Sequence, residues 1–159
     1  MAQSITEHAT ALDAVQRLVE RRLTSACEEM GTASVHSPRT ANFHARFEVG
    51  VNETLLGAYP CALHFTAGLR QGVLYVSSGH LCFETAIYPA ANTKLPFCRI
   101  STAERCRDPV FHLIPNSIRL VLTDGTPPLT FASFHPPASR DEAIELLSRC
   151  LKSAGATRS

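Results

Sequence analysis

The stretch GVLYVSSGHLCFET, residues 72–85, decides the fold class of this chain. It contains two short runs rich in β-branched and aromatic residues on either side of a Ser-Ser-Gly turn. Pairing the runs across this turn sets Val76 beside Leu81 and Leu74 beside Phe83. One face of the hairpin is then apolar. The stretch therefore predicts an antiparallel hairpin with that face in a hydrophobic core.

The opposite face of the hairpin carries His80, Cys82 and Glu84 at alternate positions of the second strand. These residue types can bind metal, but structural sites usually place their ligands in pairs such as CxxC or HxxxH. With Tyr75 beside Cys82, the face is half apolar and does not suit bare solvent. We therefore expect no metal site here, and we expect an element outside the sheet to cover Tyr75 and Cys82. The candidates are the N-terminal helix and residues 43–47.

From residue 43 onward the chain consists of short β-type runs separated by turn residues. The predicted strands are 55–65, 72–76, 80–85, 94–100, 110–114, 117–123 and 129–134. An amphipathic helix begins near Ser139, with Ile144, Leu147 and Leu151 on one face. We predict a mainly β fold with α: a partly open barrel of about seven antiparallel strands, capped by the C-terminal helix.

An N-terminal amphipathic helix is predicted over residues 5 to 30, followed by a linker in which Pro38 acts as a breaker. The apolar stripe of this helix is a candidate partner-binding surface, formed by Leu12, Val15, Val19 and Leu23. Packing on the barrel, self-association and lying on a membrane all remain open for it. The expected organisation is a helix and linker (1–42), a β-domain (43–153) and a flexible tail (154–159).

Composition restricts the function further. Fifteen basic and 14 acidic side chains give a net charge of +1, which disfavours nucleic-acid binding. No apolar run approaches the roughly 20 residues of a transmembrane helix, and the first residues lack the features of a signal peptide. The six cysteines form no CxxC pair. We expect a cytoplasmic protein with reduced thiols, possible peripheral membrane contact and no cofactor.

Several short blocks occur in an order and spacing that are specific together. They are Tyr59-Pro60-Cys61-Ala62-Leu63, Leu74-Tyr75-Val76-Ser77, His80-Leu81-Cys82-Phe83, Lys94-Leu95-Pro96, Asn116-Ser117-Ile118, Phe131-Ala132-Ser133-Phe134 and Arg140-Asp141-Glu142-Ala143. Residues 47 to about 147 thereby resemble a GRAM domain, a pleckstrin-homology-like module. The resemblance implies a seven-stranded barrel that binds phospholipid headgroups, phosphoinositide or phosphatidylserine, or binds protein, and does not catalyse a reaction.

Headgroup binding in such a barrel implies basic side chains near its loops. The leading candidates are Arg70 and Lys94, with Leu69 as an apolar tip and Arg99, Arg105 and Arg107 as additional charges. Because these residues are dispersed along the chain, we expect weak, salt-sensitive binding.

Catalysis has little support in the sequence, and no catalytic residue is assigned. A cysteine phosphatase needs an Arg six positions after its Cys, whereas Arg105 follows Cys98 by seven. HExxH, GxSxG and Gly-rich phosphate loops are absent from the sequence. The alternative function is a protein-interaction scaffold that uses the N-terminal helix or an open barrel edge.

Overall fold

The structure, a computed structural model, describes residues 38–66, 68–86, 92–110 and 112–156. The predicted N-terminal helix, with its stripe of Leu12, Val15, Val19 and Leu23, lies outside these residues. Residues 157–159 of the predicted tail also lie outside them.

Two α-helices, seven strands and one 3₁₀ turn form the described part of the chain. Their bounds are α1 Pro38–Phe47, β1 Leu55–Phe65, β2 Gly68–Ser77, β3 His80–Thr85, β4 Asn92–Pro96, the 3₁₀ turn Phe97–Arg99, β5 Ile100–Cys106, β6 Ser117–Leu122, β7 Leu129–Ala132 and α2 Ser139–Ala156.

The seven strands form one open sheet in the order β4-β3-β2-β1-β7-β6-β5. All six neighbouring pairs are antiparallel, and α2 packs on the sheet and the 3₁₀ turn. This confirms the predicted architecture of antiparallel strands and a C-terminal helix. The helix extends through Ala156, beyond the predicted domain boundary at residue 153.

The hairpin of β2 and β3 has the predicted register, with Leu74 opposite Phe83 and Val76 opposite Leu81. All four side chains are fully buried in the main core. Phe83 contacts Phe131 of β7 at 5.4 Å between ring centroids. The alternation in the sequence places these residues inside because successive strand side chains point to opposite faces.

The opposite face of the hairpin is covered by α1. Phe43 and Phe47, one helical turn apart, contact Tyr75 at 5.8 and 5.5 Å between ring centroids. Together with Ala58 and Cys82 they form a second buried cluster. The prediction that an outside element covers Tyr75 and Cys82 is confirmed, and residues 43–47 supply the cover.

Helix α1 corrects the interpretation of Pro38 as a linker breaker. Pro38 is the first residue of the helix, where its fixed φ is compatible with helical geometry and its missing N–H is not needed. The helix ends before Glu48, whose φ of 50° is left-handed.

Two strand predictions are wrong. The described residues 110 and 112–114 do not form a strand, because Pro109 and Pro115 flank this segment and the Asp108 carboxylate accepts a hydrogen bond from the Val110 N–H. The strand before them is β5, whose mostly exposed polar residues show no apolar alternation. The predicted strand 94–100 stops at Pro96 and continues as the 3₁₀ turn.

Candidate functional site

Three connections lie at one end of the sheet. Leu63 pairs with both Arg70 and Phe131, so the β1–β2 turn and the start of β7 lie at the same end of β1. Pairing of Gly72 with Thr85 brings the end of β3 there as well. The β1–β2, β3–β4 and β6–β7 connections therefore share this end, which we call the open end. Ala67 and residues 87–91 lie outside the described residues.

Arg70 lies at the open end with its side chain exposed to solvent. Its guanidinium carbon lies 4.5 Å from the centroid of the Phe65 ring, a cation–π contact. Phe65 itself packs against the main core. The ring therefore holds a positive charge at the rim of the core. The neighbouring Leu69 is half-buried and pairs with His64.

Lys94 is not brought together with Arg70. It pairs with Cys82, which pairs with Tyr75, so it lies on the α1 face of the sheet. Tyr75 is five residues further along β2 than Arg70, a separation of about 17 Å along the strand. The Lys94 ammonium donates to the Glu48 carbonyl at 3.3 Å, at the negative end of α1.

Two of the other predicted contacts are engaged with carboxylates. Arg99 donates to Asp124 at 2.6 Å and Arg105 donates to Asp141 at 3.1 Å. Hydrogen bonds from the Thr126 side chain, from Arg99 and from the Thr126 backbone hold the pKa of Asp124 well below its usual range. Arg99 and Arg105 therefore have acidic partners within the fold, which reduces the charge they offer to a ligand.

Arg105 and Arg107 also lie far from Arg70. Arg105 pairs with Ile118, which pairs with Phe131, which pairs with Leu63, which pairs with Arg70. Arg105 and Arg70 therefore lie in the same row across the sheet, four strand spacings apart. At the usual strand spacing this is about 19 Å along the sheet. Arg107 is exposed just after β5. The predicted basic residues consequently do not converge on one headgroup.

A cluster that the sequence interpretation missed joins the β2–β3 turn to the segment before β1. The Glu53 carboxylate contacts the His80 imidazole at 2.8 and 3.0 Å, and it also accepts a hydrogen bond from the buried Ser77 hydroxyl. The Ser77 oxygen in turn accepts from the His80 backbone N–H at 3.0 Å. Since the hydroxyl faces the carboxylate and not the imidazole, the cluster fixes the turn and does not prepare a nucleophile.

Thiol chemistry is disfavoured at the interior cysteines. Burial raises the pKa of Cys82 to about 12, and burial also raises the pKa of Cys61, Cys106 and Cys150. Across the described ranges, no group of three His, Cys, Asp or Glu side chains gathers as metal ligands would.

A second missed feature is the loop of residues 107–116 between β5 and β6. Leu113 is 89% exposed, and Val110 and Ile114 are each 48% exposed. The prolines near both ends of this apolar run are the sequence signal that could have identified a loop. In the described part of the chain, no helix is both long and apolar enough to cross a bilayer.

Comparison with protein families gives one match, the GRAM domain, over residues 41–156. This chain belongs to the GRAM domain family. The match covers most of the chain and includes α1 from its fourth residue, the whole sheet and α2.

Solved structures similar to this GRAM domain share its fold. The C-terminal domain of an unknown protein from Leishmania infantum is 24% identical with a TM-score of 0.59, over 71% of this chain and 98% of that one. The N-terminal PH domain of Vps36 is 10% identical with a TM-score of 0.51, over 65% of this chain and 86% of that one. The DH/PH domains of p115-RhoGEF are 8% identical with a TM-score of 0.52, over 95% of this chain and 46% of that one. The fold is thus pleckstrin-homology-like. The comparison with curated proteins gives no match.

Proposed function

We propose that this GRAM domain is a non-catalytic adaptor that binds anionic phospholipid headgroups, phosphoinositide or phosphatidylserine, weakly at a membrane surface. The observation that supports this most directly is Arg70. Its guanidinium is exposed at the open end, is held over Phe65, and forms no ion pair with a described residue. A cation held in this way can contact a phosphate without first breaking an internal salt bridge.

The same geometry sets the strength of binding. A basic residue near an anionic bilayer contributes about 1 kcal/mol. Lys94, Arg99 and Arg105 already have internal partners. If one or two remaining cations contribute about 1 kcal/mol each, binding is weak and sensitive to ionic strength.

The proposal is tested by sedimenting the full chain with phosphatidylcholine vesicles that contain phosphatidylserine or a single phosphoinositide. At low salt we expect the chain to sediment with the anionic vesicles, and we expect this binding to fall as salt is added. Arg70→Glu should weaken binding about thirtyfold, because it removes one attraction and adds one repulsion of about 1 kcal/mol each.

Arg149→Glu is the matched control. Arg149 is exposed on α2, and its reversal changes the net charge by the same amount. Equal loss of binding in both variants would mean that net charge, and not the open end, governs attachment. Absence of binding to every vesicle at low salt would contradict the membrane proposal itself.

A protein scaffold is the second candidate, because the sheet is open. β4 and β5 are its terminal strands, and most residues of β5 are exposed. An edge strand can pair with an extended peptide, and the apolar stripe predicted around Val19 can dimerise. Sedimentation velocity of the full chain tests the second route. A dimer that dissociates on Val19→Asp would favour assembly, whereas a monomer at all concentrations would count against it.

A further inference from the structure

The loop of residues 107–116 exposes apolar side chains that the core leaves unused. Leu113 is 89% exposed, the highest exposed fraction among the large apolar side chains of the described residues. Val110 and Ile114, in the same loop, are each 48% exposed. Single exposed apolar residues are normal on a protein surface, but three within five positions concentrate apolar side chains on one loop, which favours a binding surface.

Hydrogen bonds close the base of this loop. The Asp108 N–H donates to the Ile114 carbonyl at 2.7 Å, and the Asn116 N–H donates to the same carbonyl at 2.9 Å. The Asp108 carboxylate accepts from the Val110 N–H at 2.8 Å. Because the loop is closed in this way, its apolar side chains are presented outward without the entropy cost of ordering a flexible segment.

The charges around the loop favour a negatively charged occupant. Asp108, the single acid among the loop's described residues, is 3% exposed and directed inward. Arg107 and His112 are exposed. At the base, Arg119 lies opposite Glu104 and Arg140 forms an ion pair with Asp141, so these two cations add little to the charge that Arg107 offers.

We propose that the 107–116 loop inserts Val110, Leu113 and Ile114 into the surface of an anionic bilayer, with Arg107 at the level of the headgroups. Apolar side chains next to the exposed Arg107, with the Asp108 carboxylate buried, match the layered chemistry of such a surface. The loop leaves β5 and β6 at Cys106 and Ser117, away from the β6–β7 connection and so away from the open end. The inference rests on the proposed membrane binding but does not depend on Arg70.

The test uses the absence of tryptophan from this chain. Leu113→Trp introduces a single tryptophan in the loop, whose emission can be excited apart from that of the three tyrosines. Val51→Trp is the matched control, since Val51 is 85% exposed in the turn after α1. Each full-length variant is titrated at low salt with phosphatidylserine-containing vesicles, whose binding is followed in parallel by sedimentation. Lipids with brominated tails report contact with the hydrocarbon layer.

We expect the emission of the Leu113→Trp variant to shift to shorter wavelength and to be quenched by brominated lipid, while that of Val51→Trp stays unchanged. Sedimentation with vesicles but no shift at position 113 would overturn the loop insertion and leave the membrane function standing. Absence of sedimentation would overturn both. A shift at position 113 before lipid is added would mean that another part of the chain or a second copy covers the loop, which also overturns the proposal.

Truncation gives an independent measure on the unlabelled protein. Leu113→Ser should lower vesicle binding about tenfold, because nearly the whole leucine side chain is available for burial. Val51→Ser should leave binding within about twofold of the wild type. Equal binding by the two serine variants would contradict the insertion, and neither substitution removes a core contact that could unfold the domain.

Discussion

Removing the Phe47 ring should uncouple α1 from the sheet without unfolding the barrel. Phe47 is 4% exposed and contacts the rings of Phe43 and Tyr75 at 5.4 and 5.5 Å. A ten-residue helix is marginal by itself, so α1 depends on its contacts with the sheet. Phe47→Ala should therefore increase the population in which α1 has left the sheet and Cys82 is accessible.

The size of the effect follows from the burial of the ring. Replacing a buried phenylalanine by alanine costs about 3–5 kcal/mol, which includes the loss of its aromatic neighbours. Taking the lower value, because α1 lies at the periphery, the opening equilibrium should increase about a hundredfold. Under conditions in which α1 recloses faster than the reagent reacts, the rate of thiol labelling increases by the same factor.

The assay measures alkylation of each cysteine in the native protein by peptide mass spectrometry at fixed pH. Cys98 is exposed and reports that the reagent is active. Cys82 is fully buried under α1, and Cys61 is buried in the main core on the other face of the sheet. Phe47→Ala should accelerate labelling of Cys82 and leave Cys61 protected.

Phe97→Ala is the matched substitution, since Phe97 is also 4% exposed but belongs to the main core. It should accelerate the alkylation of Cys61 and Cys82 together, because it promotes global unfolding. If Phe47→Ala raised both rates equally, α1 would be an integral part of the global folding unit. A change of less than about threefold at Cys82 would refute the magnitude derived from ring burial.

Two further predictions concern backbone spacing and acid sensitivity. A Cβ at Gly72 would lie 2.1 Å from the Glu84 carbonyl oxygen, so Gly72→Ala should destabilise the fold by about 1–3 kcal/mol in denaturant unfolding. Gly50→Ala, with no atom within 4 Å of its Cβ, should not destabilise it, and equal stability of both variants would contradict the close approach. Because hydrogen bonds from Thr126 lower the pKa of Asp124, the stability that this carboxylate contributes is present above about pH 4 and is lost as pH falls through its folded-state pKa. A carboxyl NMR titration should show its midpoint rising in Thr126→Ala; an unchanged midpoint would exclude that hydrogen bond as the cause.

The β2–β3 hairpin was predictable because its determinants are local. A short turn fixes the register, and once Leu74 is opposite Phe83 the alternation assigns every side chain to a face. The same reasoning predicted a cover over Tyr75 and Cys82, since that face is too apolar for solvent. The sequence could not identify α1 as a helix of its own, because Pro38 resembles a helix breaker and Phe43 and Phe47 give only one apolar repeat of helical spacing.

Strand β5 was missed because nothing local distinguishes it. Its residues are mostly polar, and it forms by pairing with β6 along one side, for example Glu104 with Arg119. The apolar run at 110–114 has the composition of a strand but is a loop, because Asp108 and the flanking prolines close its base. Tertiary pairing decided β5 against its local pattern, whereas local contacts decided the loop.

The candidate binding residues were identifiable as charges, but their partners were not. Arg99 meets Asp124, which is 25 residues away, and Arg105 meets Asp141, which is 36 residues away. Such distant pairs depend on the sheet order, which the sequence does not state. The contact between Arg70 and Phe65 joins residues that are close in sequence, since both flank the β1–β2 turn.

The alternate residues His80, Cys82 and Glu84 now have a structural explanation that limits where a ligand can bind. Their partners all come from α1 and the segment after it: Glu53 contacts His80, the phenylalanines of α1 cover Cys82, and Arg46 pairs with Glu84. Because other parts of the protein contact all three side chains, this part of the sheet face is not available to a membrane. Neither of the two proposed membrane surfaces, the open end and the 107–116 loop, involves these residues, and the variants at Arg70 and Leu113 separate the contributions of the two surfaces.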